Sequence, residues 1–223
     1  MKYEIVGGNM PAALVRLEPG EGVYCEGGAM SWMDDGIEMK TESGGLGAML
    51  GRAFSGESLF RNHYVANRAG EIAFGSNFPG EIRAIELTPG QVLIAQKGAY
   101  LASDEGIEMS VHFQKKIAGG FFGGEGFIMN KFTGTGTVLL EIDGSAVEYD
   151  LAPGQKKVIE TGTLVMMDGT CDFDIQMIKG VKNMLFGGEG LFNTIVTGPG
   201  KIMVQTLPIS TVAENIASLI PGK

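Results

Sequence analysis

The sequence predicts a mainly β protein built from repeated units of short antiparallel strands. A phrase that opens Leu-x-Pro-Gly occurs three times, starting at Leu17, Leu87 and Leu151. Glycine is abundant, with 36 residues and no collagen-like period, which suits many tight turns because glycine reaches positive φ without a steric penalty. The apolar runs, such as Val92-Leu93-Ile94-Ala95, have the length of strands. Together these features favour a β fold with internal repetition.

Each phrase contains two turn signals. Proline at the first corner and glycine at the second predict a type II turn, and these pairs lie at Pro19-Gly20, Pro89-Gly90 and Pro153-Gly154. An acidic corner follows two short apolar runs, at Asp34-Asp35-Gly36, Asp104-Glu105-Gly106 and Asp168-Gly169. Because such corners between apolar runs are typical of hairpins, we interpret these acids as turn formers rather than paired catalytic carboxylates.

The repetition extends over most of the chain and predicts the domain organisation. We expect β repeats at 1–74, 75–141 and 142–207, packed as one compact body because no linker-like segment separates them. Residues 208–223 are predicted to contain a short amphipathic helix packed on this body, since Val212, Ile216, Leu219 and Ile220 recur on one helical face. Trp32, flanked by methionines, is expected in a core strand.

The net charge and the apolar pattern argue against a nucleic-acid-binding protein and against a membrane-spanning or secreted one. A net charge of −9 and a pI near 4.8 argue against nucleic-acid binding, which needs a basic surface. No apolar run approaches the roughly 20 residues of a membrane-spanning helix. The start, MKYEIVGGNMPAAL, lacks the apolar core of a secretory signal, and two lone cysteines form no disulfide framework. We therefore expect a cytoplasmic protein, with peripheral contact to a membrane allowed, and buried Cys25 and Cys171.

Motifs for catalysis or cofactor binding are not found in the sequence. The two histidines, His63 and His112, lie far apart in the chain without a His-x-His motif, so we expect no metal centre and interpret each as a hydrogen-bonded or surface residue. The Gly-x-Ser-x-Gly elbow and the Gly-Lys-Ser/Thr phosphate loop are also absent. The sequence therefore predicts no enzyme activity and no cofactor.

A glycine-rich loop with one acid between aromatic residues recurs once in each repeat and supplies the candidate binding residues. Phe121 to Asn130 reads FFGGEGFIMN, and Leu185 to Thr194 reads LFGGEGLFNT. Cations adjoin aromatic side chains in these loops, a combination that anchors proteins at membrane interfaces or partner surfaces. The candidates are Arg52, Phe54, Glu57, Lys115, Lys116, Phe121, Phe122, Glu125, Lys182, Phe186 and Glu189. The alternative interpretation places the aromatic rings in the core.

The three glutamates of these loops leave a second interpretation open. Glu57, Glu125 and Glu189 occupy matching positions and would hold a cation if the loops met near a three-fold axis. The alternative is that each carboxylate accepts hydrogen bonds from its own glycine-rich loop. The order of the 43–55 segment, SGGLGAMLGRAFS, is left open by the sequence.

These motifs resemble the altered-inheritance-of-mitochondria family, and its bacterial members in particular. The resemblance rests on the repeated Leu-x-Pro-Gly pattern, Glu26-Gly27-Gly28-Ala29-Met30, Phe54-Ser55-Gly56-Glu57-Ser58 and the paired Phe-Gly-Gly-Glu-Gly loops. It implies a double-layered β body of repeats similar to the tryptophan RNA-binding attenuation protein. Fungal mitochondrial members are associated with inner-membrane organisation, which implies an assembly or membrane-associated role.

The resulting functional expectation is a non-enzymatic binding or scaffold protein that engages a protein or membrane surface. We expect a homo-oligomer, by fold resemblance and because β edges need covering. The alternatives are a protein with a small-ligand or cation site between repeats and, by fold analogy alone, an RNA-binding protein.

Overall fold

A computed structural model describes residues 1–40, 61–115, 126–177 and 192–219. The chain divides into two compact units, Met1–Ile142 and Asp143–Lys223. The described strands form antiparallel sheets, and one short helix follows near the C-terminus. The predicted fold class, mainly β with a short C-terminal helix, is confirmed.

The regular elements of the first unit, in the part that the structure describes, are strands and one 3₁₀ turn at Lys97–Ala99. Its strands are β1 (Lys2–Val6), β2 (Ala12–Leu17), β3 (Gly22–Glu26), β4 (Met30–Met33), β5 (Ile37–Lys40), β6 (Arg61–Ala66), β7 (Gly70–Gly75), β8 (Gly80–Leu87), β9 (Leu93–Gln96), β10 (Tyr100–Asp104), β11 (Ile107–Lys115), β12 (Phe127–Gly134) and β13 (Gly136–Asp143). The last of these ends one residue past the unit boundary.

The second unit contains six described strands and the helix. They are β14 (Ala146–Leu151), β15 (Lys156–Glu160), β16 (Leu164–Asp168), β17 (Asp172–Met177), β18 (Phe192–Thr197), β19 (Gly200–Gln205) and α1 (Ile209–Leu219). A 3₁₀ turn at Thr161–Thr163 joins β15 to β16.

One six-strand pairing pattern recurs along the chain. Six consecutive strands form two groups of three paired strands. In one group the sixth strand lies between the first and the third, and in the other the fifth strand lies between the second and the fourth. This pattern gives β2-β7-β4 with β3-β6-β5 and β8-β13-β10 with β9-β12-β11 in the first unit, and β14-β19-β16 with β15-β18-β17 in the second. In the first unit β1 adds to β2, and β3 also pairs with β10. The predicted number of repeats, their residue bounds and their packing as one compact body stay predictions.

Local sequence explains which faces of these strands are buried. In β11, Ile107, Met109, Val111 and Phe113 alternate with polar residues, and burial alternates with them because successive side chains point to opposite faces of a sheet. In β10 and β16 the apolar residues are continuous and both faces are buried. The Pro-Gly turns carry glycine at positive φ, with 87° at Gly20 and Gly90 and 77° at Gly154, as a type II turn requires.

Two packing predictions differ from the structure. Trp32 was expected in a core strand, but its side chain is 53% exposed on β4. The helix exists over Ile209–Leu219, yet none of its described side chains is buried, and Leu219 is 82% exposed. Apolar periodicity identifies a strand or helix face but not whether another element covers it, and that is the reason for both errors.

Candidate functional site

The described residues include one of the predicted loop candidates. Lys115 is the exposed last residue of β11, where it lies opposite Phe127 of β12. The other candidates lie outside the described residues, namely Arg52, Phe54, Glu57, Lys116, Phe121, Phe122, Glu125, Lys182, Phe186 and Glu189. Convergence of the three loop glutamates and exposure of the loop aromatics therefore stay predictions.

The described part of the first unit assembles a polar and aromatic cluster on β3, β6 and the corner after β10. Tyr24 and His63 are cross-strand partners whose rings stack with centroids 4.4 Å apart and an interplanar angle of 21°. The Arg61 guanidinium lies over the Tyr24 ring at 4.3 Å and donates a hydrogen bond to the Ile107 carbonyl oxygen at 3.2 Å. This arrangement is a cation–π stack set by strand register.

Glu105 closes this cluster from the acidic corner. One carboxylate oxygen lies 2.8 Å from His63 Nε2, and the other accepts a hydrogen bond from the Gly22 backbone NH at 3.1 Å. A Cβ on Gly22 would lie 2.5 Å from Glu105 Oε1 and 2.6 Å from His63 Nε2, so only glycine fits there without displacing these side chains. The prediction that His63 is hydrogen-bonded is confirmed.

The stack of Arg61, Tyr24 and His63 was not predicted from the sequence. Arg61 and His63 lie two residues apart on one strand and so share a face, which was a usable signal. The register that brings Tyr24 opposite His63 was not predictable, because the two strands are separated by the 41–60 segment.

Three buried groups, Cys25 and Tyr100 in the first unit and Cys171 in the second, have pKa values above their usual range. Burial, with the Glu26 charge as a smaller cause, raises the pKa of the Cys25 thiol to about 12. Burial also raises the pKa of Tyr100, whose hydroxyl is 3.0 Å from the Ser103 hydroxyl. Burial, then the Asp168 charge, raises the pKa of Cys171. Both cysteines are buried free thiols, as predicted, and a neutral buried thiol is a poor nucleophile.

The turn acids have the structural role predicted for them. One aspartate in each corner, Asp34, Asp104 or Asp168, accepts a hydrogen bond from a backbone NH at the start of the sixth strand of its pattern. The distances are 2.8 Å from Glu71, 2.7 Å from Thr137 and 2.7 Å from Lys201, respectively. Asp104 has a second partner, because the Met1 α-amino group lies 2.8 Å from its other oxygen. These carboxylates tie strands together.

His112 lies at a register shift in the pairing of β11 with β12. Its pKa is lowered, first by desolvation and second by the positive charge of Lys131. Across the described ranges, no group of three His, Cys, Asp or Glu side chains is arranged to hold a metal ion.

The C-terminal helix presents an apolar face. Ile209, Val212, Ile216 and Leu219 follow helical spacing, and Ile209, Ile216 and Leu219 are all more than half exposed. Among the described residues, no helix has the length and apolar character to cross a membrane.

Asp143 holds the start of this helix in place. Its carboxylate accepts a hydrogen bond from the Ile209 backbone NH at 2.9 Å, in the manner of an N-terminal cap. Its own backbone NH donates to Gln205 Oε1 at 2.9 Å, and the Gln205 amide donates to the Gly162 carbonyl oxygen at 3.0 Å. Burial raises the pKa of Asp143, and the bond from Ile209 opposes this effect.

Comparison with known proteins gives a consistent result. A family model described as Mitochondrial biogenesis AIM24 matches residues 3–207. An uncharacterized protein of Streptococcus pyogenes serotype M6 is 30% identical over 221 residues, which are 95% of this chain and 87% of that protein. The crystal structure of a Streptococcus pyogenes protein superposes with a TM-score of 0.82 at 28% identity, covering 98% of this chain and 99% of that one.

Proposed function

This chain belongs to the family described as Mitochondrial biogenesis AIM24, and we propose that it is a binding or scaffold protein that engages a lipid surface without catalysing a reaction. The protein is, in this proposal, a cytoplasmic homo-oligomer with peripheral contact to a membrane. The observation that carries the proposal is the exposed apolar face of α1, held by Asp143.

The composition of α1 supports a lipid surface as its partner. The other positions of α1 are small or polar, such as Thr211, and its sequence contains one acid, Glu214, and no lysine or arginine. Attachment of such a helix to a membrane interface would rest on burial of its apolar side chains at the acyl boundary, without attraction to anionic headgroups. Burying Ile216 and Leu219 in this way contributes about 1 to 2 kcal/mol each. The predicted glycine and aromatic loops would add further contacts.

Vesicle co-sedimentation tests this function directly. We expect the purified protein to pellet with phosphatidylcholine vesicles and with vesicles that also contain phosphatidylglycerol. An Ile216→Ser/Leu219→Ser variant is expected to bind at least tenfold more weakly, because about 2 to 4 kcal/mol of apolar burial is lost. Thr211→Ser, on the other side of the helix, is the matched control and should bind as the wild type does.

A second variant separates the helix from the loops. Phe121→Ser/Phe122→Ser tests the loop contribution, and circular dichroism establishes that each variant is folded. Wild-type protein that stays in the supernatant with both vesicle types contradicts the proposal, as does a helix variant that pellets like the wild type.

A further inference from the structure

Helix α1 offers apolar side chains for membrane contact but no positive charge. Ile209, Ile216 and Leu219 are each exposed over more than half of their surface. The sequence of the helix, ISTVAENIASL, contains one charged residue, Glu214. Amphipathic helices that bind anionic membranes are rich in lysine and arginine on the polar face, and these cations attract the headgroups. The apolar contact of α1 therefore lacks the electrostatic attraction that selects anionic lipid.

A second acid lies at the start of the helix. The Asp143 carboxylate accepts the hydrogen bond from the Ile209 backbone NH at 2.9 Å, which holds it next to the first residue of α1. Between Lys201 and Lys223 the sequence contains no basic residue. The whole chain has the same sign of charge, with a net charge of −9. Both the local charge and the overall charge oppose approach to a negative surface.

The dimensions of an interfacial helix decide how strongly these charges act. An α-helix with its side chains is about 10 to 12 Å in diameter, so a helix in the interface holds all its residues within about that distance of the headgroups. The Debye length is about 8 Å at physiological ionic strength, so a charge on such a helix is only partly screened. One negative charge at the surface of an anionic membrane then weakens binding by up to about threefold.

The predicted glycine and aromatic loops, in contrast, carry cations. Their candidate binding residues include Arg52, Lys115, Lys116 and Lys182, and lysine and arginine near a membrane surface favour anionic headgroups. The dependence of binding on headgroup charge therefore distinguishes a membrane contact made by α1 from one made by the loops.

We propose that the lipid surface entered by α1 is electrically neutral, made of zwitterionic headgroups, and that anionic lipid weakens the binding. This inference rests on the proposed function and names its class of lipid. Burial of Ile209, Ile216 and Leu219 supplies the attraction, which is the same for neutral and anionic bilayers. Glu214 and Asp143 supply the discrimination, because only an anionic surface repels them.

Vesicle co-sedimentation over a series of compositions tests the preference. Phosphatidylcholine vesicles are compared with vesicles in which phosphatidylglycerol replaces an increasing share of that lipid. We expect the Kd of the wild type to rise about threefold to tenfold across the series, the effect of one or two negative charges at the surface. Raising the salt concentration from about 10 mM to about 150 mM should strengthen binding to phosphatidylglycerol vesicles, because repulsion is screened; a basic anchor shows the reverse.

Glu214→Lys tests whether α1 sets this preference. The change adds two units of positive charge to the helix, so binding to phosphatidylglycerol vesicles should strengthen about tenfold while binding to phosphatidylcholine vesicles stays the same. Glu214→Gln removes one negative charge and should strengthen it about threefold. Glu108→Lys, at an exposed position of β11, makes the same change in net charge outside the helix and should leave both affinities within about twofold of the wild type. Circular dichroism establishes that each variant is folded.

The outcomes separate this inference from the proposed function. Wild-type protein that binds phosphatidylglycerol vesicles as tightly as phosphatidylcholine vesicles, or more tightly, overturns the preference for neutral lipid and leaves the lipid-binding function standing. An equal gain in Glu108→Lys and Glu214→Lys overturns the assignment of the preference to α1, because net charge alone then explains it. Protein that stays in the supernatant with every composition contradicts the proposed function and this inference with it.

Discussion

The Asp143 carboxylate and the Ile209 backbone NH are joined by a hydrogen bond of 2.9 Å, across 66 residues of chain. The carboxylate caps α1 from a distant position, and its partial burial raises its pKa. A cap is ordinarily supplied by the residue just before the helix. Here the cap links the end of β13 to the start of the helix.

Asp143→Asn is expected to be at least as stable as the wild type at pH 7. A carboxyl whose pKa is higher in the folded state than in the unfolded state binds its proton more tightly when folded, so its contribution to stability falls as pH rises between those two values. The unfolded value is about 3.9 for aspartate. The amide keeps an acceptor oxygen and does not titrate. The unfolding free energy of Asp143→Asn minus that of the wild type should therefore increase as pH rises from 3 to 7.

Asp143→Ala is the matched comparison. It removes the acceptor for Ile209, and loss of a cap costs about 1 kcal/mol, or about 2 to 4 °C in Tm for a chain of this size. Thermal unfolding followed by circular dichroism measures both variants. A Tm for Asp143→Ala equal to that of Asp143→Asn at pH 7 contradicts the capping role.

Asp104→Ala is predicted to destabilise the protein more than Asp168→Ala. Both lose the hydrogen bond from a backbone NH, but Asp104 also faces the Met1 α-amino group at 2.8 Å in a partly buried contact. Losing this charged partner as well raises the loss to about 2 to 3 kcal/mol, against about 1 kcal/mol for Asp168→Ala. Chemical denaturation gives both values, and equal losses would show that the ion pair contributes nothing.

Gly22→Ala and Glu105→Ala are expected to be non-additive. The new methyl group would collide with the Glu105 carboxylate and with His63, whereas removing the carboxylate relieves most of the collision. Each single change should cost about 1 to 2 kcal/mol, and the double variant should be more stable than the sum of the two losses implies. A double-mutant cycle in urea measures the coupling, and strict additivity argues against contact between these positions.

Cys25 is predicted to resist alkylation in the folded protein. Its thiol is buried with a pKa of about 12, and at pH 8 the thiolate that reacts is scarce and shielded. We expect reaction with iodoacetamide at least 100-fold slower than for a free thiol, and full labelling in denaturant, in line with the small thiolate fraction. Mass spectrometry after a timed reaction identifies the labelled residue. Rapid labelling of Cys25 in the folded protein would mean that the pairing of β3 with β10 opens readily.

Local sequence features account for the parts of the fold that were predicted. Gly20 adopts positive φ because the Pro-Gly turn requires it, and Asp34 and its counterparts accept backbone hydrogen bonds at the corners where acidic residues were expected. The alternation in β11 and the helical spacing in α1 specify which residues share a face. These properties depend on a few neighbouring residues, and so they can be derived from the sequence alone.

The sequence by itself determined the mainly β class, the turn positions, the C-terminal helix and the family resemblance. Only the tertiary structure decided that Trp32 is exposed, that Arg61, Tyr24 and His63 form one stack, and that Asp143 caps a helix 66 residues away. The physical reason is that burial and contact depend on strand register and on which edge receives a partner. Both are long-range choices, made by elements far apart in the chain.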